Sequence, residues 1–476
     1  MAGGLNRRQW LAGALALAAL PAPALADPPW LRPAPRPLRA GPGPEALLRE
    51  AALGGETGWL VVDLDSGRML DARVPDQPFA PASTLKAVTA LYAIDRLGGN
   101  FRFATRVLSE GDRLILVGQG DPVLDTEALA DLARQAAAAG LAPPASFLVW
   151  PSWPEAEIPR IDPAQSVWLP YNPAISGLNL NFNRVHLDWR GGATPVLVLE
   201  ARGARLSPRA YTIAIRAVAR PTPLFTYDDS GVREEWTVAA GALRQPGGRW
   251  LPVRRPALYA GDVFQTLARA EGLALPAPAP GRAGMGAREV ARHDSPPLDQ
   301  IVAGMLEFST NLTAEVLGLR ASGAADPAAS GAAMAAWLRG QGISGDFGFA
   351  DHSGLSPGSR VTPAMMVALL AGPGRRLALR DRLATPDAVS ADGRRGAYPP
   401  GISIHAKTGT LNFVSNLVGY LDGPYGRRLG FAIFCADPAR REASLGQELP
   451  AGVATWTTRA RHLQTGLLTH WAARFG

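Results

Sequence analysis

The sequence predicts an α+β fold in which an antiparallel sheet, flanked by helices, is split by a large strand-rich insertion. Near the carboxyl end, three apolar strands joined by short turns lead into a long amphipathic helix. A hairpin followed by a helix occupies the region after residue 57, and helices packed on antiparallel strands are typical of the α+β class. Between these parts lies a stretch of short strands bracketed by Pro- and Gly-rich segments, which indicates an insertion into one domain.

The first 26 residues have the organisation of a secretory signal peptide. The pair Arg7-Arg8 precedes a short apolar run, and Ala24-Leu25-Ala26 forms a small-x-small cleavage site. The apolar run is too short for a permanent membrane span. We therefore expect cleavage after Ala26, a mature protein without a transmembrane span, and a periplasmic location. The paired arginines favour the twin-arginine route, while the ordinary secretory route and a retained anchor stay open as alternatives.

The next segments predict an arm, a hairpin and a helix. Residues 27–57 are rich in proline and predict a linker or arm. From residue 58 the chain alternates apolar and polar residues and turns at Asp65-Ser66-Gly67, which indicates a hairpin. Residues 81–97 then predict a helix that ends at Gly98-Gly99.

Residues 101–287 change to short strands and loops. They include an Ala-rich helix near 126–139, a further helix near 261–272, and strands at 114–117, 147–150, 185–189, 195–199, 212–217 and 235–239. We expect 101–287 to form the insertion as two small domains. Residues 58–100 and 288–476 then make up the split domain.

The last third of the chain predicts helices followed by a sheet. Residues 298–319 have helical periodicity, and strands are predicted at 402–410, 416–421 and 429–435 before a final helix at 454–474. The single cysteine, Cys435, lies in an apolar strand and reads as a core residue. One cysteine excludes an intramolecular disulfide framework and a cysteine-based zinc site.

The charged residues exclude one class of function and single out two positions. The formal net charge is +7, but no basic run is longer than a pair, so we expect no nucleic-acid partner. Of the 48 lysines and arginines, only Lys86 and Lys407 are lysines. A lysine amine can lose its proton when it is buried or placed beside another cation, whereas an arginine cannot. The two lysines are therefore candidates for chemistry.

Lys86 follows Ser83 by three residues at the start of the predicted helix. This spacing places the hydroxyl and the amine on one helix face. A neutral amine beside a serine hydroxyl can activate it as a nucleophile without histidine. Unpaired backbone N–H groups at a helix start can also stabilise negative charge on the serine. The alternative interpretation is an N-capping serine with a solvated lysine.

Lys407 begins the sequence Lys407-Thr408-Gly409-Thr410 on the first of the three carboxyl-terminal strands. A Lys-Thr-Gly triplet is expected by chance only about 0.01 times in this composition. The glycine lets a ligand backbone approach the strand, and the Lys407 charge can both attract an anion and keep a neighbouring amine neutral. Strict alternation places Thr408 on the face opposite Lys407.

A third motif, Ser309-Thr310-Asn311, lies between the two lysines. The order Ser-x-x-Lys, Ser-x-Asn, Lys-Thr-Gly resembles that of penicillin-recognising serine enzymes, which comprise DD-peptidases and class A β-lactamases. The segments Gly118–Leu124 and Asp351–Ser356, and the long gap between the first two motifs, resemble type-4 penicillin-binding proteins. These form the D-alanyl-D-alanine carboxypeptidase/endopeptidase family.

The resemblance covers about residues 58–470 and implies a β-lactamase/transpeptidase-like catalytic domain. The chain departs from the family pattern at Thr310, where aspartate is common, and at His352, where glycine is common. The resemblance implies a serine carboxypeptidase, with endopeptidase activity, that acts on peptidoglycan stem peptides and is acylated by β-lactam antibiotics. It implies the catalytic residues Ser83, Lys86, Ser309 and Asn311 and the substrate-binding residues Lys407, Thr408, Gly409 and Thr410.

The roles implied by the resemblance divide between these residues. Ser83 attacks the amide carbonyl, and Lys86 takes its proton. Ser309 relays the proton to the leaving amine, and Asn311 orients Lys86 and the substrate amide. Backbone N–H groups of Ser83 and Thr410 form an oxyanion hole. Lys407 and Thr408 hold the terminal carboxylate.

Two other interpretations stay open at this point. A β-lactamase would need a dedicated glutamate for fast deacylation, and the sequence has no obvious loop for it. A non-catalytic peptidoglycan-binding scaffold with the same fold is the second alternative. The histidines have no metal-ligand spacing, so we expect neither a metal ion nor a cofactor.

Overall fold

The computed structural model describes residues 41–191 and 195–476, so the signal peptide predicted at 1–26 lies outside the described residues. Strands are numbered in chain order as β1 (Glu56–Asp63), β2 (Met69–Arg73), β3 (Ala104–Glu110), β4 (Arg113–Gly118), β5 (Ser146–Pro151), β6 (Arg184–Arg190), β7 (Val196–Glu200), β8 (Ile213–Val218), β9 (Phe225–Asp228), β10 (Glu234–Ala239), β11 (Gly247–Pro252), β12 (Pro278–Pro280), β13 (Arg288–Asp294), β14 (Ala388–Val389), β15 (Arg395–Gly396), β16 (Ser403–Leu411), β17 (Val414–Asp422) and β18 (Arg428–Ala436).

The helices are numbered in the same way. They are α1 (Pro44–Ala51), α2 (Leu85–Leu97), α3 (Thr126–Ala138), α4 (Pro256–Ala270), α5 (Leu298–Phe308), α6 (Asn311–Ser322), α7 (Pro327–Gly340), α8 (Pro363–Leu369), α9 (Pro438–Ala443) and α10 (Val453–Phe475). No helix within 41–191 and 195–476 is both long and apolar enough to cross a bilayer.

A five-stranded sheet joins the two ends of the chain. Its order is β16-β17-β18-β1-β2, and every neighbouring pair is antiparallel. The early hairpin thus completes a sheet whose other strands lie more than 300 residues later, because β1 pairs with β18 from Glu56↔Ala436 to Asp63↔Leu429. This arrangement confirms the predicted α+β class and the predicted hairpin.

Helices cover both faces of this sheet, and the strand β18 shows why. Alternate residues of a strand point to opposite faces. Ile433 and Cys435 pack with α1 and α10, whereas Ala432 and Phe434 pack with α2 and the helices α5 to α8. A strand buried on both faces reads as a continuous apolar run. Cys435 is fully buried, as predicted for a core residue.

One helix lies where the sequence predicted only a linker or arm. Helix α1 falls inside the 27–57 segment, with a proline at its first position, where the missing N–H costs no helical hydrogen bond. Leu47 and Ala51 are buried in the same cluster as α10. The proline-rich composition concealed this helix because its prolines precede it or sit at its start.

The inserted region contains three sheets. One has the order β12-β5-β4-β3-β13, a second β11-β6-β7, and the third β8-β10-β9. A single hydrophobic cluster runs from Val107 through Leu187 to Trp236 and includes residues of all three sheets and of α3 and α4. Most of the buried apolar residues of the described region belong to this cluster, and Leu108, Ile115 and Val117 form a second, small one. The division of the insertion into two small domains stays a prediction. Strand β13 pairs with β3, so the five-stranded sheet of the insertion continues past the predicted 287/288 boundary to Asp294.

Candidate active site

Ser83 lies in a 3-10 turn, Ala82–Thr84, immediately before α2 begins at Leu85. The helix predicted for 81–97 is therefore α-helical only from Leu85 onward. Ala82 has φ +48°, a left-handed conformation that is uncommon for a residue with a β-carbon. Such strain persists only where surrounding contacts hold it. The residue before the candidate nucleophile is thus held by its packing.

The amine of Lys86 meets the hydroxyl of Ser83, as the i, i+3 spacing predicts. Lys86 Nζ is 2.9 Å from Ser83 Oγ, 2.7 Å from Asn311 Oδ1 and 2.8 Å from the carbonyl oxygen of Ser353. The lysine is fully buried, which rules out the alternative of a solvated side chain. A neutral amine has two N–H groups and one lone pair. When the two carbonyl oxygens accept the N–H groups, the lone pair is left to face Ser83.

The surroundings of Lys86 favour this neutral form. Burial is the main cause that lowers the pKa of Lys86, from 10.5 to about 7, and the positive charge of Lys407 lowers it further. The carboxyl groups of Asp351 and Glu315 act in the opposite direction. A base is most effective when its pKa lies near the working pH. The lowered pKa therefore leaves part of the Lys86 amine unprotonated at neutral pH and able to accept a proton.

Ser309 and Asn311 are placed by a break between two helices. Helix α5 ends at Phe308, Ser309 has φ +58°, and α6 begins at Asn311, so the helical segment predicted for 298–319 is interrupted at the motif. Asn311 accepts a hydrogen bond from Lys86 and donates one from Nδ2 to the carbonyl oxygen of Tyr171, 2.9 Å away. Among the described residues, the Ser309 hydroxyl has no hydrogen-bond partner, and it lines the same cavity as Ser83.

A buried carboxylate holds the loop that contacts Lys86. Glu315 accepts hydrogen bonds from the backbone N–H groups of His352 and Ser353. Asp351 accepts bonds from the Ser353 hydroxyl and from the N–H group of Ser356. Burial raises the pKa of both carboxyl groups, and the Asp351 charge raises that of Glu315 further. These contacts fix the Ser353 carbonyl oxygen against the Lys86 amine.

The Lys407 motif lies on β16, the edge strand of the sheet. Lys407 is 2 % exposed, and its Nζ donates to the carbonyl oxygen of Thr408 at 3.1 Å. Burial lowers the pKa of Lys407 from 10.5 to about 8. Thr408 and Thr410 are exposed and share the opposite face, as strand alternation predicts. Thr410 lines the cavity of Ser83, whereas Thr408 lines a neighbouring one.

Gly409 brings β16 against the Ser83 turn. A β-carbon at this position would lie 2.8 Å from the carbonyl oxygen of Pro81 and 3.1 Å from the backbone nitrogen of Thr84. Asn416, on the neighbouring strand, donates to the carbonyl oxygens of Ala80 and Pro81 at 2.8 and 2.9 Å. The sequence predicts that Gly409 lets a ligand backbone approach the strand. In the structure, the Ser83 turn occupies the space beside Gly409.

The three motifs line one cavity of about 540 Å³. Its walls include Ser83 from the turn before α2, Ser309 and Asn311 from the helix break, and Thr410 from β16. The inserted region adds Tyr171, and α10 adds Arg461. Lys86 and Lys407 lie behind these walls.

Several residues of the site were missed or undervalued from the sequence. Tyr171, Asn416 and Arg461 belong to no motif. Only the folded chain brings Tyr171 and Arg461 to the cavity and Asn416 to the turn before Ser83. The segment from Asp351 was recognised as part of a family pattern, but its contact with Lys86 through the Ser353 carbonyl was not predicted. A backbone carbonyl carries no sequence signal, since every residue has one.

Comparisons with known proteins identify relatives of the chain. The model of the D-Ala-D-Ala carboxypeptidase 3 (S13) family matches residues 45–460. A D-alanyl-D-alanine carboxypeptidase of Actinomadura sp. (strain R39) is 30% identical over 447 aligned residues, which cover 82% of this chain and 79% of that protein. A carboxypeptidase of Mycobacterium tuberculosis is 28% identical over 420 residues, with 82% and 78% covered.

Among solved structures, penicillin-binding protein 4 of Haemophilus influenzae superposes with a TM-score of 0.69. It is 20% identical, and the match covers 90% of this chain and 100% of that one. The same protein in complex with a β-lactam gives a TM-score of 0.68. At this identity the structural match establishes the fold, and the family model establishes the relationship. The chain is a serine carboxypeptidase that belongs to the S13 family of D-Ala-D-Ala carboxypeptidases.

Proposed function

We propose that the protein hydrolyses the terminal D-Ala-D-Ala bond of peptidoglycan stem peptides, and D-Ala cross-links between them, through an acyl-enzyme on Ser83. The observation that carries the proposal is the buried Lys86 amine. Its pKa is about 7, and it lies 2.9 Å from the Ser83 hydroxyl. A serine hydroxyl is a weak nucleophile by itself, so an adjacent base that is partly neutral at physiological pH is what the reaction needs.

In the first step, Ser83 Oγ attacks the carbonyl carbon of the penultimate D-Ala, and its proton moves to Lys86 Nζ. Negative charge then develops on the former carbonyl oxygen. The backbone N–H groups of Ser83 and Thr410 are the candidates to stabilise it, because Gly409 brings β16 to within van der Waals distance of the Ser83 turn.

In the second step, the bond between the carbonyl carbon and the amide nitrogen breaks, and the leaving amine takes a proton. Ser309 is the candidate relay, because its hydroxyl lines the cavity beside Asn311 and is free of other described partners. The proton that Lys86 received from Ser83 then reaches the amine through this hydroxyl. Both substrates leave an ester on Ser83. The released amine is free D-Ala when the substrate is a stem peptide, and the second peptide strand when it is a cross-link.

Deacylation repeats the chemistry with water as the nucleophile. Lys86 takes a proton from the water, the ester bond to Ser83 Oγ breaks, and Ser83 regains its proton. A β-lactam carries a strained amide that resembles the substrate, so it acylates the same serine. The cavity of about 540 Å³ that would hold either substrate has walls from the inserted region and from α10.

We also propose that the protein acts in the periplasm after export. The support for this location is the arrangement of residues 1–26, with Arg7-Arg8, a short apolar run and a small-x-small site at Ala26. Stem peptides lie in the same compartment. Sequencing the amino terminus of the protein from a periplasmic fraction tests this part, and a mature chain that still begins at Met1 contradicts it.

Mass spectrometry of purified muropeptides tests the activity. The protein should release D-Ala from monomeric pentapeptides and convert cross-linked dimers to monomers, and Ser83→Ala should do neither. A fluorescent penicillin should label the wild type and not Ser83→Ala. Absence of labelling favours a non-catalytic scaffold. Rapid steady turnover of a cephalosporin, without product from muropeptides, favours a β-lactamase.

A further inference from the structure

One wall of the Ser83 cavity is a loop that connects α9 to α10. It comprises residues 444–452, and we call it the strap. The strand before α9, β18, belongs to the five-stranded sheet, and α10 packs on that sheet. The strap therefore starts and ends beside the sheet that carries the Lys407 motif. Five of its residues line the cavity, namely Ser444, Leu445, Gly446, Gln447 and Leu449.

The middle of the strap is bonded to the inserted region. One terminal nitrogen of Arg249, on β11, donates to both carboxylate oxygens of Glu448, at 2.9 and 3.0 Å. The indole N–H group of Trp168 donates to the same carboxylate at 3.3 Å. The Ser166 hydroxyl donates to the carbonyl oxygen of Gly446 at 2.6 Å. The strap thus bridges the cavity from the sheet to the inserted region.

The contacts across this bridge are exposed. Residues 445–449 are all exposed, so little apolar packing holds them in place. Water competes for the ion pair of Glu448 and Arg249, because the two side chains are 39 % and 21 % exposed. Gly446 and Gly452 have φ +76° and +78°, and glycine changes its backbone conformation at low cost. These are the features of a segment that opens locally.

The two proposed substrates differ in size at the bond that is cleaved. A stem peptide brings one strand to Ser83 and loses a single D-Ala, whereas a cross-link brings two peptide strands. A cavity of about 540 Å³ lies in the range that holds one ligand of drug size. The second strand of a cross-link therefore needs an opening in a wall. Since exposed contacts hold the strap, we expect the opening there.

We propose that the strap sets the substrate range of the enzyme. When Glu448 is paired with Arg249, the closed strap admits single stem peptides, and when the pair breaks, the open strap admits cross-linked peptides as well. This inference rests on the proposed function. The affinity for a cross-linked substrate then falls in proportion to the fraction of molecules whose strap is closed off from it. Glu448 and Arg249 act as positioning residues, because they act through the strap.

Two purified muropeptides test this inference, a monomeric pentapeptide and a cross-linked dimer. Glu448→Gln removes the ion pair at nearly constant side-chain size. It should raise kcat/KM for the dimer about 2- to 5-fold, mainly through a lower KM, because a partly exposed ion pair shifts an equilibrium by that much. Its kcat/KM for the monomer should change less than about 1.5-fold, since the closed strap already admits that substrate. Arg249→Glu places two carboxylates against each other and should favour the open strap further.

Two further variants control for charge and for folding. The double variant of Arg249→Glu with Glu448→Arg restores an ion pair, so its kcat/KM for the dimer should return towards that of the wild type. Arg202 pairs with Asp188 and Glu200 on β6 and β7, the strands that share a sheet with β11. Arg202→Gln removes this other ion pair and should behave as the wild type. The melting temperature of each variant reports its folding.

The outcomes separate this inference from the proposed function. Equal changes for the monomer and the dimer in Glu448→Gln overturn the inference, because the ion pair then supports the site as a whole. An unchanged rate on the dimer in both single variants also overturns it, as does a double variant that keeps the full effect of Arg249→Glu. These results leave the proposed function intact. If the wild type cleaves neither muropeptide, both fall.

Discussion

The carbonyl oxygen of Ala82 packs directly on the α-carbon of Gly354, and a β-carbon at that position would overlap it. Gly354 also has φ +77°, which only glycine adopts without cost. The loop that begins at Asp351 therefore supports the strained turn before Ser83 and offers the Ser353 carbonyl to Lys86. One short loop thus positions both members of the Ser83–Lys86 pair.

Gly354→Ala should for this reason impair acylation. We expect the rate of labelling by a fluorescent penicillin to fall at least about 100-fold, because a displacement of the nucleophile by about 1 Å has that effect. Gly348→Ala is the matched control, since a β-carbon there meets no atom within 4 Å. A Gly354→Ala protein that labels as fast as the wild type would show that the turn does not depend on this contact.

Lys86→Arg should abolish acylation although the positive charge is kept. A guanidinium cannot accept the proton of Ser83 at any relevant pH. The measurement is the rate of labelling, with the melting temperature of each variant as a test of folding. Lys407→Arg should have a milder effect, because it keeps the positive charge through which Lys407 lowers the pKa of Lys86. Retained acylation in Lys86→Arg would refute Lys86 as the base.

The pH dependence of acylation should report the Lys86 amine. The rate should rise with pH through a midpoint near 7, since the deprotonated amine is the active form and the pKa of Lys86 is about 7. The charge of Lys407 lowers this pKa. Lys407→Gln removes the charge, so the midpoint should move to higher pH. A midpoint that stays in place or moves to lower pH contradicts the electrostatic coupling of the two lysines.

Gly318 and His352 form a size-matched pair in the core. The imidazole of His352 occupies the space that a β-carbon of Gly318 would fill, its Nε2 is 2.7 Å from Ser330 Oγ, and burial lowers its pKa to about 3. Gly318→Ala should lower the free energy of unfolding by about 1–3 kcal/mol, because the added methyl group overpacks the core. Urea denaturation measures this loss.

The companion change tests whether the pair is coupled. His352→Ala removes the ring, so the double variant with Gly318→Ala should be more stable than the sum of the two single effects predicts. Additive effects would show that the ring and the glycine are independent. The histidine at position 352, where the family commonly has glycine, would then not depend on the glycine at position 318.

Much of the fold followed from local patterns. The hairpin, the three carboxyl-terminal strands and the final helix have strong periodicity and clear turn residues, and all of them lie close to their predicted positions. Helix α1 was missed because it is short and lies in a proline-rich segment. The boundary at 287/288 was misplaced because β13 is polar along most of its length and pairs with a strand nearly 200 residues earlier.

The sequence by itself determined which groups are available for the chemistry. It contains two lysines, each in a motif, and its spacing places Ser83 one turn before Lys86. The tertiary structure alone decided what these groups can do. Burial and the charge of Lys407 set the proton affinity of Lys86, and both come from parts of the chain distant in sequence. The same is true of Arg461, which reaches the wall of the Ser83 cavity only because α10 packs beside the sheet. Local periodicity does not encode such contacts between remote segments.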